Sequence, residues 1–344
     1  MEWTQKKLII GSGKDKSMKI LTVNVGSESK KYTLFVDDKE IWNVHIEERD
    51  GQIGEDKLNE QFDCIAFRVV APGTYFREHR LIGEEFFRQL TVAREKAPLH
   101  IDRTFIEIQF FKSRFPNTKM VAISDSAFHS TLPDYARLYA LPLDDAKKFD
   151  IEHFGYHGIS LSSIVEKLKA ENNLKDRIIV CHLGGGSSIT AIKEGKSIDT
   201  SMGFTPLSGL TMATRVGEID AGALVYLSEV KNLHGERFEE YLGNQCGFLG
   251  FAGTPSMKQL LDEEKTNERA EQVIRMFVYQ VQKYIGAYAV ALGGLDLLVF
   301  SGGIGEPSEP IRSKILAGIG ALKENVLVVP TDEAGEMNRI AKGI

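Results

Sequence analysis

Three stretches of this chain share one design, a short apolar run that ends in glycine or serine. They are Lys19–Ser29 (KILTVNVGSES), Arg177–Ser188 (RIIVCHLGGGSS) and Leu295–Glu306 (LDLLVFSGGIGE). Apolar runs of this length, stopped by glycine, predict buried strands with tight turns at their tips. The first two continue into a second alternating stretch, Tyr32–Val36 and Ile189–Ile192, the latter with Glu194-Gly195 as a turn. That pattern predicts hairpins. The same strand–turn–strand unit occurring twice points to a duplicated domain. Between the strands lie helical stretches, the clearest over Glu271–Leu292. Its Val273, Phe277, Val281, Tyr284, Tyr288 and Leu292 form one apolar stripe ahead of Gly293-Gly294, as expected of a helix packed on a core. Strands alternating with helices give an α/β protein.

The tips also constrain function. In Asn24–Lys31 (NVGSESKK), a turn with glycine and the hydroxyls of Ser27 and Ser29 lets backbone N–H groups face an anion, and Lys31 adds a point charge. Gly184, Gly185 and Gly186 form a second such loop, and Gly302, Gly303, Ile304 and Gly305 a third. Three loops at three strand tips point to phosphate handling. No Walker loop or dinucleotide fingerprint occurs at these tips.

Composition narrows the setting. A chain of 344 residues accommodates two domains. A formal net charge of −6 and a pI near 5.8 argue against nucleic acid, which needs a broad basic face. Cys64, Cys181 and Cys246 are sparse and form no C-x-x-C, as in a reducing compartment. No apolar run reaches the roughly 18 residues of a membrane span. The start, MEWTQKKLII, lacks a signal-peptide core. A cytoplasmic protein without membrane partners is expected, with residues 1–17 as an extension ahead of Met18.

Six ordered blocks make the reading specific: Asn24–Lys31, Asp125–Pro133 (DSAFHSTLP), Phe154–Gly158 (FGYHG), Cys181–Ser188, Asp199–Asp220 (DTSMGFTPLSGLTMATRVGEID) and Met276–Glu306. Together they resemble the acetate kinase family of acetate and propionate kinases. That family belongs to the actin-like superfamily of sugar kinases and heat-shock ATPases. The resemblance implies two duplicated actin-like (ribonuclease H-like) domains with the active site in the cleft between them. Residues 18–148 would form the first domain and 149–330 the second, with 331–344 returning to the first. It also implies a homodimer, Mg²⁺, ATP or ADP as co-substrate, and transfer of a phosphoryl group to a small carboxylate.

Site residues follow by position. Arg68 and Arg215 match the catalytic arginines, His157 the histidine that bonds the transferring phosphoryl, and Asp125 the catalytic carboxylate. Planar guanidinium forks suit both anions. Asn24, Asp125 and Glu333 match the magnesium set, and His182 lines the phosphate site. Val70, Leu99, Tyr156 and Pro206 match the acyl pocket, with Tyr156 where the family usually has Phe.

Departures from the pattern are Phe67, Ala71-Pro72-Gly73, Ile101-Asp102-Arg103, Gly185 and Pro307. On the adenosine side, Met257 and Gln259 stand where the family has Asp and Arg. Three alternatives stay open: another nucleotide or pyrophosphate as donor, a larger or more polar acid, or a non-catalytic sensor of a metabolite or nucleotide.

Overall fold

The structure, a computed structural model, describes residues 17–26, 29–47 and 51–344, except for the side chains of residues 99 and 100. In the first sheet, β1 (Lys19–Val25), β2 (Lys30–Val36) and β3 (Lys39–Ile46) form an antiparallel meander, and β4 (Cys64–Val69) and β6 (Lys119–Ser124) run parallel to β1. The two-residue β5 (Arg80–Leu81) closes the edge, giving the order β3-β2-β1-β4-β6-β5. The second sheet holds β7 (Arg177–Leu183), β8 (Ser187–Lys193), β9 (Lys196–Thr200), β10 (Leu297–Ser301) and β11 (Val326–Val328). Read from its β9 edge the order is β9-β8-β7-β10-β11. Again three antiparallel strands are followed by two parallel ones. The duplication expected from the sequence is therefore one of topology: both sheets run three antiparallel strands into two parallel ones, and the first adds β5 at its edge.

Both central strands are buried along almost their whole length, which explains why they read as continuous apolar runs and not as alternating ones. The β8–β9 turn at Glu194-Gly195 has φ of 51° and 77°. Two consecutive positive values match a type I′ hairpin turn, whose twist suits the flanking strands.

Helices cover the sheets. α1 (Glu84–Lys96) and α2 (Pro98–Arg114) bring Phe86, Leu90 and Phe111 onto Leu21, Val23 and Phe67 of the first sheet. α3 (Gly158–Ala170) spans both halves. Its Ile159 packs with Ile20 and Ala66, while Ile164 and Leu168 pack with Ile178, Val180 and Val299. α4 (Ala221–Lys231) and α5 (Glu236–Asn244) follow the second meander. α6 (Glu268–Leu292) lays Val273, Phe277, Val281 and Ile285 on the second sheet. It begins three residues before the expected start, because the Asn267 side chain accepts from the N–H groups of Arg269 and Ala270 and so caps an extra turn. It ends, as expected, where Gly293 takes a φ of 73°. α7 (Glu333–Gly343) packs Met337 and Ala341 against Ile20, Ala66 and Val121 of the first sheet. Glu333 is thereby carried to the tip of β1.

One tip differs from the expected open loop. Gly302–Gly305 forms a single helical turn directly after β10. Glu306 accepts from the Gly302 N–H at 2.8 Å, and Arg312 Nη1 donates to the Gly305 carbonyl at 2.9 Å. Gly302 has φ of 82°, and a Cβ there would lie 2.7 Å from the Leu183 carbonyl. Only glycine fits between these strands.

Candidate functional site

The duplicated topology places chemically different residues at equivalent points. Asn24 is the sixth residue of β1, and His182 is the sixth of β7. Asn24 faces Lys31 across the β1–β2 hairpin, and His182 faces Ser188 across β7–β8. Directly opposed residues share a sheet face. On the other side, Val23 pairs with Phe67, which brings Asn24 beside Arg68, while His182 pairs with Ser301. Two cross-strand rows result, Lys31–Asn24–Arg68 in the first half and Ser188–His182–Ser301 in the second.

The first row is ionic. Arg68 Nη2 donates to Asp125 Oδ2 at 2.9 Å, and Nη1 donates to Asn24 Oδ1 at 3.2 Å. Glu333 Oε2 lies 3.9 Å from the same Nη1 and accepts from Asn24 Nδ2 at 2.7 Å. The other Glu333 oxygen accepts from the Ser160 hydroxyl. One guanidinium thus sits between two carboxylates. Burial alone would lower the Arg68 pKa, but Asp125 and Glu333 outweigh it and raise it above the ordinary range. Burial pushes the Glu333 carboxyl up, yet Arg68 and the Ser160 hydroxyl leave it below its usual value. Glu333 is therefore charged at neutral pH in this frame. Asp125 is fully buried, a burial that would be costly without a partner. It is compensated by Arg68, by the His157 N–H at 2.9 Å, and by its place at the N-terminus of α3.

His157 is the hinge between the two rows. It stands at the N-cap of α3 with φ of 62° and ψ of 20°, a left-handed conformation that non-glycine residues seldom take. The Asp125 bond to its N–H fixes that conformation. Its Nδ1 pairs with Ser188 Oγ at 3.0 Å, and its ring lies 4.6 Å from the His182 ring. Burial, then His182, Arg68 and Arg215, hold its pKa well below the ordinary histidine value, and burial likewise lowers that of His182. Both rings are neutral at pH 7. The two flanking glycines are required by close approach. A Cβ on Gly155 would lie 2.5 Å from the His129 ring, and one on Gly158 would lie 2.3 Å from the Asp125 carbonyl.

Gly186 marks where the groups converge. A Cβ there would meet His157 Nε2 at 3.2 Å and Arg215 Nη1 at 3.4 Å. Arg215 Nη1 also donates to the Pro206 carbonyl at 3.4 Å. Gly184 lies beside the third tip, its Cβ direction 3.5 Å from the Gly303 N. Asn24, Arg68, Asp125, Glu333, His157, His182, Gly184, Gly186, Arg215 and Gly303 are therefore linked through successive contacts. Gly185 has open space in front of it.

For the other residues that the sequence assigns to the site, the surroundings decide what each can do. Val70 and Tyr156 join Phe154, Met202 and Met212 in one apolar cluster. The Tyr156 hydroxyl donates to the Phe204 carbonyl at 2.6 Å, so it is spent locally. Pro206 is buried beside Arg215. Ile304 lies in the core of the second half, so only its backbone is available to an anion. Lys31 is exposed beside Asn24, and Ser29 closes the first turn by accepting from the Gly26 N–H at 2.8 Å. Ser27 and the Leu99 side chain lie outside the described residues. On the adenosine side, Met257 is buried in the core, and Gln259 spends its amide on Thr254 and Glu263.

Among the described residues, no group of three or more His, Cys, Asp or Glu is disposed to hold a metal ion. The Asn24, Asp125 and Glu333 set is smaller, two carboxylates and an amide. Its donors are hard oxygens, and Asp125 Oδ1 makes a long, 3.5 Å contact with the Ile159 N–H. Such a set fits Mg²⁺, which takes few protein ligands and completes its shell with water and phosphate. Sequence reasoning missed Ser160, Ser188 and Ser301, which orient Glu333, His157 and His182. The strand register carries the signal for the last two, since both oppose His182.

Comparison with known proteins shows the family. The model of the Acetokinase family matches residues 13–339. An acetate kinase from Caldicellulosiruptor saccharolyticus is 40% identical over 275 residues, covering 78% of this chain and 68% of that protein. One from Brachyspira hyodysenteriae is 39% identical over 312 residues, covering 89% and 78%. Among solved structures, a propionate kinase from Francisella tularensis superposes with a TM-score of 0.86 at 30% identity, over 95% of this chain and 100% of that one. Porphyromonas gingivalis acetate kinase gives 0.81 at 29% identity, over 95% and 100%.

Proposed function

The chain belongs to the acetokinase family, and from that membership and the site geometry we propose a short-chain carboxylate kinase that moves a phosphoryl group between ATP and acetate or propionate. The observation that carries the reading is the convergence of His157 Nε2 and Arg215 Nη1 on one point in front of Gly186. A carboxylate substrate is ionised at neutral pH, so it needs no general base. One carboxylate oxygen forms a bond to the γ-phosphorus as the bond from phosphorus to the bridging oxygen breaks, and no proton moves. The protein's work is positioning and charge neutralisation. A neutral His157, its Nδ1 accepting from Ser188, carries its proton on Nε2 and donates it as a hydrogen bond to the transferring group. Arg215 and Arg68 neutralise the equatorial oxygens. Asp125, with Ser160 and Asn24 around Glu333, keeps the frame rigid. Asn24, Asp125 and Glu333 would hold Mg²⁺, which supplies charge neutralisation of the nucleotide phosphates.

We read residues 18–148 and 149–330 as the two domains, with 331–344 docked on the first. We also read the protein as a cytoplasmic homodimer. Supporting the dimer, no residue of α4 is buried and Val225, Tyr226 and Val230 are exposed, as is Tyr279 on α6. Clustered apolar exposure of this kind marks interfaces.

The test is hydroxamate formation in the presence of hydroxylamine, Mg²⁺, short acids, and ATP, GTP or pyrophosphate. Product with acetate or propionate and ATP is expected. No product with any donor and acid would remove the reading.

A further inference from the structure

The peptide that joins Tyr156 to His157 is held at both ends. Its N–H, that of His157, donates to Asp125 Oδ2 at 2.9 Å. Its carbonyl, that of Tyr156, lies 2.9 Å from His129 Nε2. The preceding peptide is held as well, since the Ser126 hydroxyl donates to the Gly155 carbonyl at 2.8 Å. Asp125, Ser126 and His129 all come from the segment that follows β6, His129 from the short 3₁₀ helix Ala127–Thr131. The ring reaches the Tyr156 carbonyl because Gly155 carries no Cβ, which would lie 2.5 Å from it.

The partners fix the His129 tautomer. The residue is fully buried, and burial holds its pKa down to about 4, so the ring is neutral at pH 7. A neutral imidazole has one N–H and one bare nitrogen. The Tyr156 carbonyl can only accept, so the proton sits on Nε2. Nδ1 is then bare and accepts from the Ser197 hydroxyl at 2.8 Å. Ser197 belongs to β9 of the second sheet, and its carbonyl accepts from the Thr131 hydroxyl at 2.8 Å. A flip of the 156–157 peptide plane turns ψ of Tyr156 and φ of His157 together. It is a local route out of the strained φ of 62° at His157, and it would break the bonds to Asp125 and His129 at once.

We infer that His129 is a positioning residue of the candidate centre. Its Nε2–H pins the Tyr156 carbonyl, and through the 156–157 peptide it keeps His157 in the left-handed conformation that aims Nε2 at the point in front of Gly186. The inference rests on the kinase reading for its effect on turnover, but not for its effect on the His157 ring. A histidine that only filled the core would set stability and leave the His157 ring as it is.

Variants of the full chain separate the two ring nitrogens. His129→Gln keeps an N–H donor in the place of Nε2 and gives up the Ser197 contact. His129→Asn keeps a polar atom in the place of Nδ1 and gives up the Tyr156 carbonyl. Hydroxamate formation with ATP gives kcat, calorimetry gives the ADP affinity, and ¹⁵N NMR of the histidine rings, assigned with His157→Gln, reports the His157 tautomer. The expected result for His129→Asn is a loss of at least ~10-fold in kcat, ADP affinity within ~3-fold of the parent, and His157 nitrogens that average in place of one protonated and one bare signal. His129→Gln should recover kcat to within ~5-fold of the parent and restore the separate His157 signals. Ser197→Ala, a milder change that frees the His129 tautomer, should lower kcat by ~2–5-fold with partial averaging, and it serves if both His129 variants fail to fold. Parental kcat and parental His157 signals in His129→Asn or in Ser197→Ala, or equal losses in the asparagine and glutamine variants, would overturn the inference. If the parent forms no hydroxamate, the kinase reading falls, and the His157 signals still decide the positioning.

Discussion

Gly186→Ala isolates the convergence at the centre of the site. The backbone there is not in the left-handed region, so alanine meets no conformational strain. Its Cβ would lie 3.2 Å from His157 Nε2 and 3.4 Å from Arg215 Nη1. Both distances are a few tenths of an ångström inside comfortable contact, and the Arg215 end can yield, so the stability cost stays below ~1 kcal/mol. The functional cost is different in kind. A transferring phosphoryl oxygen must come within about 2.7–2.9 Å of those same two nitrogens, and the methyl group occupies that volume. Loss of two charge-assisted hydrogen bonds, at roughly 1.5–3 kcal/mol each, amounts to ~3–6 kcal/mol of transition-state stabilisation. That is about 10²–10⁴ in kcat/KM. The assay is hydroxamate formation beside thermal denaturation, with Gly83→Ala as the comparison. Gly83 sits before α1 with nothing within 4 Å of its Cβ direction. If Gly186→Ala folds normally and turns over within ~5-fold of the parent, the transferring group does not sit between His157 and Arg215.

Arg215→Ala should cut kcat by at least ~10² with little change in melting temperature, and Arg215→Lys should recover only a fraction because the planar fork is lost; near-parental turnover by either would exclude its role at the phosphoryl group. Tyr156→Phe removes the donor to the Phe204 carbonyl and should cost about 0.5–1.5 kcal/mol in urea unfolding, with acid preference unchanged, since that hydroxyl is engaged by the carbonyl. Acidification should destabilise the fold before the carboxylates titrate. Burial lowers the pKa of His129 to about 4, and those of His157 and His182 lie below the ordinary value. The unfolded chain therefore binds these protons first. Their contribution is fully present above the unfolded value near 6.5 and is lost as pH falls below it, by up to ~1.4 kcal/mol per pH unit for each group. Unfolding free energies that stay flat between pH 7 and 5 would contradict this.

The sequence revealed the fold wherever burial left a one-dimensional trace. The three apolar runs into glycine are central strands, and the α6 stripe is a core face, so both could be read from residue type and spacing. The boundary of α6 was less legible, because Asn267 acts as a cap only once the chain has turned. The third glycine tip was also opaque. Its helical turn depends on Glu306 and Arg312 reaching back to Gly302 and Gly305, and no local pattern announces such a return. Motif resemblance located Arg68, Asp125, His157 and Arg215, yet it gave no role to Ser160, Ser188 or Ser301. Serine is too common in sequence to signal function, and its meaning here comes from register.

The duplicated sheets explain why the site is electrostatically lopsided. Equivalent positions carry Lys31, Asn24 and Arg68 in one half, and Ser188, His182 and Ser301 in the other. A symmetric charged pair of rows would place several cations around one phosphoryl group and hold the ground state as tightly as the transition state, which does not accelerate transfer. The observed division avoids that. The first half fixes a guanidinium between Asp125 and Glu333, so its charge is nearly cancelled until a phosphoryl group and its cation redistribute it. The second half offers neutral imidazoles, held neutral by burial and by the nearby arginines, whose hydrogen bonds strengthen as charge develops on the transferring oxygens. On this reasoning, restoring charge symmetry by His182→Lys should tighten nucleotide binding and lower kcat together. A variant that raised both would show that the neutrality of the second row is incidental.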